Sequence, residues 1–519
     1  MTVSIFNDVI GPVMRGPSSS HCAAALRIGQ MARALMDGNL QDVLIQFDPH
    51  GSLATTHTSQ GSDMGLFSGL MGWEATDERL PRAAQALADA GVAVRIEITD
   101  LKADHPNTYH LVLNNTSEQH TLTALSTGGG MIEVVDIDSF PVSMAGDYYE
   151  TLFMAGSNGP ALKEYLRENT SADNILLHES DNTCLVEVKA QQFLNADVLE
   201  KLETRFSIRG VKRIEPVLPV LSRQGLTVPF TTCEQMLAYH VDQDAPLWQL
   251  ALTYEAMRGD FSESEALTRM VDIVRILRHS LQEGLRGTQY KDRVLGCQSG
   301  GFAQHLKQGT LLDGGVLNHI ILYVSALMEV KSAMGVIVAA PTAGACAALP
   351  GACLAVGDQQ GRSDEKVARA MLAGALIGVF IATDSTYAAE VAGCQAECGA
   401  AAGMAAAALA TLGGGTTRQA VGAASMALQN SFGMVCDPVA NRVEVPCLGK
   451  NVMAASNALS CANMALAGYD PVVPLDEVIR AMDKVGRSLP HELRCTALGG
   501  LSVTPTSKAI EKRLIKGKS

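Results

Sequence analysis

Three cysteines in the second half of the chain, Cys394, Cys436 and Cys447, each lie beside glycine or proline at a predicted helix boundary. There the backbone can turn and leave N–H groups free to bond a thiolate or sulfide sulfur. Three thiolates from separate loops could hold a metal or cluster with one open coordination position, as a Lewis-acid catalyst requires. Alternatively, they are ordinary buried small residues. Cys398, one helical turn after Cys394, could be a fourth ligand, which would close the site.

A second candidate is the Gly- and Pro-rich loop at residues 11–22, which runs into a predicted helix. We expect Ser20 to cap this helix, because the free N–H groups of a first helical turn favour an oxygen acceptor or a carboxylate. His21 is then a candidate proton carrier or carboxylate partner. The alternative is a capping loop with a structural histidine.

Two further loops, Ser-Thr-Gly-Gly-Gly at residues 126–130 and Ala-Pro-Thr-Ala-Gly at residues 340–344, offer hydroxyls and unhindered amides to a small anionic substrate. A tight turn explains each glycine run equally well. Lys331 lies in a helical pattern without a phosphate cradle beside it, so a solvated or packed lysine is expected and not a pyridoxal phosphate site. No Walker, GxGxxG or HExxH pattern is present.

The composition of the chain limits the kinds of partner that these residues could bind. The chain has 519 residues, 47% hydrophobic and 18% charged, which predicts two to four domains with ample core. Forty basic against 54 acidic side chains give a net charge of −14, which argues against nucleic acid or an anionic membrane as the main partner and favours a small molecule. The first residues lack a secretory signal, so we expect a cytoplasmic protein. The apolar stretches at 336–356 and 371–383 are too interrupted or too short for membrane spans.

Hydrophobic periodicity predicts three parts. We expect an α+β N-terminal domain over residues 1–155, a small α+β module with a linker over residues 156–225, and a mainly α-helical catalytic domain over residues 226–519. Thr416 and Gln419 predict a capping box at the start of one helix. The strands and helices predicted in the first part are residues 43–47, 92–98 and 110–113, and residues 22–36 and 80–90, respectively.

Seven short motifs carry a resemblance to a known family. They occur at residues 16–21, 51–54, 126–130, 339–344, 393–395, 436–439 and 446–447. In this order they resemble the iron-sulfur-dependent L-serine dehydratase (L-serine ammonia-lyase) family, in a single-chain form with the β-type part followed by the α-type part. The motifs span most of the chain, and seven in register are far more specific than any one.

The resemblance implies a [4Fe-4S] cluster held by Cys394, Cys436 and Cys447, with the fourth iron open to the substrate. The 3-hydroxyl and carboxylate of L-serine would bind that iron, a base would remove the α-proton, and water would be lost. The resulting aminoacrylate would tautomerise, and water would hydrolyse the imine to pyruvate and ammonia. The base is not identified by the sequence. The resemblance implies catalytic roles for Ser18, Ser20 and His21, and substrate contacts from Ser19, Ser126, Gly128, Gly129, Thr342 and Gly344.

The resemblance also implies an oxygen-sensitive enzyme, and we expect a homo-oligomer, a dimer. Residues 156–222 correspond to the place of an ACT-type module. The chain departs from the family where Gln60 replaces a histidine, Cys22 and Ala345 replace hydroxyl residues, and Cys495 replaces a glutamate. Ala392 is an insertion before the motif at residues 393–395.

These departures keep other activities open. The alternative substrates are L-threonine, a hydroxylated acidic amino acid, and L-cysteine, which would lose sulfide. A further alternative is a non-catalytic cluster or zinc protein with Cys398 or Cys495 in the fourth position.

Overall fold

The structure is a computed structural model that describes residues 2–180, 183–206, 208–239 and 245–516. Its first part is mixed α/β. In chain order the elements are β1 Val13–Met14, α1 Ala24–Ala34, β2 Asp42–Phe47, α2 Leu53–Thr56, α3 Ser62–Leu70, α4 Ala83–Asp89, β3 Ala93–Ile98, β4 Thr108–Asn114, β5 Gln119–Gly128, β6 Met131–Ile137 and β7 Phe140–Met144. The predicted strands at 43–47, 92–98 and 110–113 and the predicted helices at 22–36 and 80–90 are confirmed, with shifted ends.

A six-stranded sheet in the order β3-β2-β4-β5-β6-β7 organises this part. Strand β2 is parallel to β3 and antiparallel to β4, and the remaining neighbours are antiparallel. Val43, Ile45 and Phe47 alternate with more exposed residues and enter the core, as the period of two requires. The sheet supports the glycine turn at the end of β5, which reaches the site described below.

The second sheet contains β8 Tyr149–Ala155, β9 Asn174–Ser180, β10 Thr183–Ala190 and β11 Ile208–Ile214 in the order β11-β8-β10-β9, with α5 Gly159–Asn169 and α6 Ala196–Arg205 between them. This is a βαββαβ unit of the ferredoxin-like kind. Phe153, Val186 and Val188 face its two helices and form a separate small core. Leu152 and Leu185, on the opposite face, join the main core, so this sheet is packed on both sides.

The second part of the chain is mostly helical, as predicted. Its elements are α7 Cys233–Tyr239, α8 Leu247–Gly259, α9 Glu263–Arg286, α10 Ser299–Gln308, α11 Val316–Ser332, β12 Ile337–Val338, α12 Ala348–Gln359, α13 Asp364–Asp384, α14 Ala389–Ala392, α15 Cys398–Leu412, α16 Thr417–Gln429, α17 Cys447–Leu466, α18 Leu475–Arg487 and α19 Pro505–Lys516. The capping box of Thr416 and Gln419 is confirmed at the start of α16. The mixed first part and helical second part confirm the predicted fold class.

Small side chains let the helices of the second part approach closely. Helix α15 consists largely of alanine and is almost entirely buried against α13, α16 and α17. A Cβ atom on Gly374 of α13 would lie 2.6 Å from the carbonyl oxygen of Met404. Helix α13 is long and apolar enough to cross a membrane, but 78% of its apolar window is buried inside the protein. It therefore has the surroundings of a core helix.

The first residues of the chain join the two parts. Strand β1 pairs with β12, with Val13 opposite Val338, and the N–H of Gly11 donates to the carbonyl of Ala339. Ser4 Oγ donates to Glu255 of α8 at 2.5 Å. These contacts hold the loop at residues 11–22 against the loop at residues 339–345, although the two are more than 300 residues apart in sequence.

The helix that follows the first loop begins with an unexpected turn. Residues Ser19–Ala23 form a π-helical turn, and the side chain of Ser18 accepts a hydrogen bond from the N–H of His21. The expectation that Ser20 is the cap is therefore wrong, because Ser20 lies inside the turn while Ser18 has the extended backbone of a capping residue. π-helical turns occur frequently at functional sites.

Helix α3 packs unusually close to this turn. A Cβ atom on Gly65 of α3 would lie 2.0 Å from the carbonyl oxygen of Cys22, and one on Gly69 would lie 2.0 Å from that of Leu26. Both obstacles are backbone atoms, which cannot rotate away. The position of His21 next to α3 therefore requires glycine at these two points.

We predict that Gly65→Ala lowers the free energy of unfolding by about 1–3 kcal/mol, because the added methyl group forces α3 away from the turn. Differential scanning calorimetry would measure this as a lower melting temperature. Gly301→Ala is the matched control, since Gly301 lies in α10 with open space around it, and it should be neutral or stabilising by up to about 1 kcal/mol. Equal melting temperatures for the two variants would contradict the packing described for Gly65.

Candidate functional site

His21 lies at the centre of a buried polar group between the two parts of the chain. Its side chain is 0% exposed, and its Nε2 lies 2.8 Å from Thr56 Oγ1. Its Nδ1 lies 3.2 Å from Ser18 Oγ and 3.4 Å from Glu390 Oε1. Burial lowers the pKa of His21 to about 3. The imidazole is therefore neutral at physiological pH.

The hydrogen bonds around His21 also fix its tautomer. Thr56 Oγ1 donates its hydrogen to the carbonyl oxygen of Ser52 at 2.7 Å. It must then accept from Nε2 of His21, which leaves Nδ1 as the unprotonated nitrogen. Its lone pair can accept a hydrogen bond from the Ser18 hydroxyl at 3.2 Å, and Glu390 Oε1 lies beside it at 3.4 Å.

Glu390, in the short helix α14, is the functional candidate that the sequence did not reveal. Its side chain is 3% exposed, and its Oε2 has no hydrogen-bond partner among the described residues. Burial raises its pKa to about 7. The side-chain amide of the neighbouring Asn107 is close enough to this carboxyl to lower its pKa, and neither amide atom has another partner among the described residues. Buried polar groups without partners are uncommon and indicate a place where a ligand can bind. The only signal in the sequence is an acidic residue in an apolar stretch shortly before Cys394.

The predicted serines are brought together beside His21. Ser19, Ser20 and Ser126 are all buried. Ser126 Oγ donates to the carbonyl oxygen of Ser20 at 2.7 Å, and the N–H of Ala343 donates to Ser19 Oγ at 3.2 Å. The first-half turn is thus connected to both of the other predicted loops.

The glycine turn at residues 128–130 packs directly against the segment that carries Glu390. Gly128 has φ +110°, and a Cβ atom there would lie 2.8 Å from the N atom of Ala388. The next glycine, Gly129, lies close to Pro341. Both the backbone angle and the close approach explain why glycine is needed at position 128.

The loop at residues 340–344 positions a second buried carboxyl group. Thr342 Oγ1 donates to Glu397 Oε1 at 2.7 Å. A Cβ atom on Gly344 would lie 2.7 Å from the same oxygen. Burial raises the pKa of Glu397 above its ordinary value. Its charge disfavours the thiolate forms of Cys394 and Cys436, although the hydrogen bond with Cys398 lowers the pKa of Cys394 overall. Thr342 and Gly344 therefore contact Glu397, which connects their loop to the cysteines.

The structure brings the three predicted cysteines into one buried region together with two more. Cys394 hydrogen-bonds to Cys398, which lowers the pKa of Cys394, and Cys436 hydrogen-bonds to Cys495. Cys447, at the first turn of α17, is close enough to Cys394 for their charges to interact. Burial raises the pKa of Cys447 to about 12. All five thiols are buried and free.

Two lysines bring positive charge to this cysteine region. Lys450 donates to the carbonyl of Val435 and to Asp437 Oδ1, and its charge interacts with Cys394 and Cys436. Lys331 is buried, donates to the carbonyl of Val443 and lowers the pKa of Cys447. It is thus a packed lysine. Both ammonium groups favour thiolates over thiols.

The donor chemistry of this region is compatible with an iron-sulfur cluster. Among the residues that the structure describes, no three His, Cys, Asp or Glu side chains converge as ligands of a single metal ion. A zinc site requires such convergence. In an iron-sulfur cluster each thiolate binds a different iron, so the sulfur atoms stay further apart. Three buried thiols from separate loops, with cationic neighbours, fit this second arrangement.

Two of the positions at which the sequence departs from the resembled family, Gln60 and Cys495, also lie at this region. Gln60 Nε2 lies 3.0 Å from Asn441 Oδ1 and 3.5 Å from Cys495 Sγ. Cys495 has φ +61°, a left-handed conformation that is uncommon for a residue other than glycine. His57 does not replace the missing histidine, because its Nδ1 is paired with Asp63 at 2.7 Å.

A cavity of about 410 Å³ leads from the surface to this site. Residues of both parts line it, with Ser52 and Glu390 at the side of His21 and Thr496 next to Cys495. A small molecule entering here would meet Glu390 and Thr496, whereas Cys394, Cys436 and Cys447 are not among the lining residues.

Comparisons with known proteins relate both parts of the chain to one family. The family model for the serine dehydratase alpha chain matches residues 230–502, and that for the serine dehydratase beta chain matches residues 9–103. A probable L-serine dehydratase alpha chain of Bacillus subtilis is 37% identical over 288 residues, which are 56% of this chain and 96% of that protein. An L-serine dehydratase of Helicobacter pylori is 26% identical over 502 residues, and one of Streptomyces coelicolor is 26% identical over 515 residues. These two alignments cover 94% and 97% of this chain and 96% and 99% of those proteins, respectively.

Proposed function

The chain belongs to the serine dehydratase family, with its beta part followed by its alpha part in one polypeptide, and from this membership we propose that it converts L-serine to pyruvate and ammonia. The observation that carries the proposal is the meeting of the His21 turn with Glu390 and the cysteine loops at one buried site. Neither part of the chain contains this arrangement alone. We propose that the enzyme acts in the cytoplasm as a homodimer.

We propose that Cys394, Cys436 and Cys447 hold a [4Fe-4S] cluster. The donor set supports this, because the three thiols are buried, come from separate loops and have two ammonium groups beside them. When bound, such a cluster with an open iron supplies Lewis-acid activation of the substrate hydroxyl. Cys398 and Cys495 then remain outside the ligand set as neighbours of the ligands.

The residues of the first part bind and orient the amino acid in this proposal. The turn at residues 18–21 and the glycine turn at residues 128–130 lie on one side of the site, and Thr342 holds Glu397 on the other. Enclosure by both parts excludes bulk water, which strengthens every hydrogen bond to the substrate. The residues proposed to contact the substrate or to position it are Ser18, Ser19, Ser20, Ser126, Gly128, Gly129, Thr342 and Gly344.

We propose Glu390 as the group that accepts the α-proton. A general base works best when its pKa is close to the working pH, and burial places the pKa of Glu390 at about 7. His21 is unsuited to this role in the free enzyme, because its pKa of about 3 makes it a weak base. His21 instead positions Glu390 and can receive a hydrogen bond from it at Nδ1.

We predict that Cys394→Ala, Cys436→Ala and Cys447→Ala each abolish both pyruvate release and the binding of iron and sulfide. Anaerobic preparations would be analysed for iron, acid-labile sulfide, visible absorption and keto-acid formation from L-serine, L-threonine and L-cysteine. Cys353→Ala is the matched control, because Cys353 is equally buried but lies in α12, and it should keep iron and activity.

Two further variants distinguish the proposed site, with three protein ligands, from a closed site with four. Cys398→Ala and Cys495→Ala should retain iron and sulfide, because neither thiol is a ligand in the proposal. Loss of the metal in either variant would indicate four protein ligands. Full iron content in Cys394→Ala, Cys436→Ala or Cys447→Ala would remove that residue from the ligand set.

We predict that kcat/KM of the wild type rises with pH through about 7, because only the carboxylate form of Glu390 accepts a proton. Glu390→Gln should lower kcat by about 10²–10⁴-fold and remove this rise, with iron content unchanged. Asp136→Asn is a matched control, since burial also raises the pKa of Asp136, but this residue lies at the end of β6 opposite to the glycine turn and accepts from the N–H of Ser139. A rise that persists in Glu390→Gln would exclude Glu390 as the base.

A further inference from the structure

The cavity of about 410 Å³ beside Glu390 is bordered by buried polar groups whose hydrogen-bonding capacity is not used within the described part of the chain. They are Nε of Arg494, Oε2 of Glu390 and the side-chain amide of Asn107. Arg494 and Glu390 line the cavity, and Asn107 follows Pro106, which also lines it. Unpaired buried polar atoms are destabilising. Several of them at one cavity indicate groups that are kept for a ligand.

Arg494 is a cationic side chain of this cavity that has no ion-pair partner among the residues described. Its guanidinium has five N–H donors. One terminal nitrogen donates to the carbonyl oxygen of Val391 at 3.2 Å, and Nε has no partner. Arg487, which also lines the cavity, differs because it is 57% exposed and its Nε lies 2.7 Å from Asp483. Arg494 therefore keeps donors for an anion, and its planar fork matches a carboxylate.

The backbone holds Arg494 between Glu390 and the cysteine region. Residue 494 forms an isolated parallel bridge with Cys436, and the N–H of Cys495 donates to the carbonyl oxygen of Cys436 at 3.0 Å. The side chain of Arg494 reaches Val391, the residue after Glu390. A carboxylate on Arg494 would thus lie near the proposed base and near a proposed cluster ligand. Since a carboxylate accepts at both oxygens, this contact is compatible with a second contact at the cysteine region.

The backbone of Asn107 is fixed just before β4. Its N–H donates to Nδ1 of His105 at 3.1 Å, and its carbonyl oxygen accepts from the N–H of Ser126 at 3.0 Å. The side chain is fully buried. Its amide lowers the pKa of Glu390, so an amide N–H and not the amide oxygen approaches that carboxyl. The oxygen Oδ1 of Asn107 then remains as a free acceptor, which suits an ammonium group.

These side chains are together complementary to an α-amino acid. Arg494 supplies donors for a carboxylate, and Asn107 supplies an acceptor for an ammonium. In an α-amino acid both groups are bonded to one carbon, and the proposed reaction removes the proton from that carbon. Glu390, the proposed base, is the neighbour of both side chains. The recognition of the substrate and the removal of its proton would therefore take place around the same atom.

We propose that Arg494 binds the α-carboxylate of the substrate and that Asn107 binds its α-ammonium, so that these two residues make the enzyme specific for α-amino acids. This inference rests on the proposed function and names the residues that select its substrate class. Arg494 and Asn107 are more than 380 residues apart in sequence and belong to different parts of the chain. The recognition site is therefore complete only where the two parts meet.

Two analogues that cannot react test the two contacts separately. L-Alanine has the ammonium and carboxylate of L-serine without its leaving group, and L-lactate has a hydroxyl in place of the ammonium. Isothermal titration calorimetry on the anaerobically prepared full chain would measure both dissociation constants. Arg494→Gln should weaken the binding of L-alanine by at least about tenfold and raise KM for L-serine similarly. Asn107→Ala should reduce the preference for L-alanine over L-lactate by at least about tenfold.

Matched variants control for loss of charge and for local packing. Arg487→Gln removes a positive charge from the same cavity, but from an exposed and ion-paired side chain. Asn114→Ala removes an amide at the opposite end of β4. Both should bind L-alanine as tightly as the wild type. Arg494→Lys keeps the charge without the planar fork and should bind L-alanine more tightly than Arg494→Gln but less tightly than the wild type.

Melting temperature and iron content, measured for every variant, separate the loss of a contact from the loss of the fold. The proposal is overturned if the wild type does not bind L-alanine or if Arg494→Gln binds it as tightly as the wild type. It is also overturned if Arg487→Gln weakens binding as much as Arg494→Gln, or if Asn107→Ala leaves the preference over L-lactate unchanged. Because calorimetry needs no turnover, binding of L-alanine with no release of pyruvate from L-serine would refute the proposed reaction and not these contacts.

Discussion

The contact between the first 14 residues and the helical part is the interaction on which the site depends. It combines the pairing of β1 with β12, the hydrogen bond from Gly11 to Ala339 and the buried bond between Ser4 and Glu255. The backbone bonds are directional, so they fix the register between the two parts as well as their contact. Since His21 and Glu390 belong to different parts, a slip of this register would separate the proposed base from the histidine that positions it.

Burial then sets the protonation states within the site. The same desolvation acts in opposite directions on the two partners, because it disfavours the charged form of each. It lowers the pKa of His21 to about 3 and raises that of Glu390 to about 7. Near neutral pH the pair therefore consists of a neutral imidazole and a carboxyl group that gains and loses its proton easily. An ion pair of imidazolium and carboxylate would be less reactive, because each charge would stabilise the other.

The sequence predicted most of the elements and the residues of the site, but not their contacts. The fold class and the capping box at Thr416 followed from local patterns, which the structure confirms. The cap at Ser20 was wrong because a π-helical turn shifts the capping position to Ser18, and periodicity does not distinguish this turn from an α-helix. Glu390 was missed because its proximity to His21 depends on a contact over more than 360 residues. The placement of Cys394, Cys436 and Cys447 in one region agrees with the sequence, while their role as ligands stays a prediction.

The departure at Gln60 has a structural consequence for how the site titrates. A histidine there would bring a second ionisable group next to Cys495 and Asn441, whereas the amide of Gln60 is neutral at every pH. The amide donates to Asn441 Oδ1, and Asn441 Nδ2 donates to the carbonyl of Thr55, so this link between the two parts is independent of pH. Among the carboxyl groups near this end of the site, burial brings the pKa of Glu390 to about 7. The chain can thus lose the histidine and still keep one group of suitable pKa, because burial adjusts the carboxyl instead.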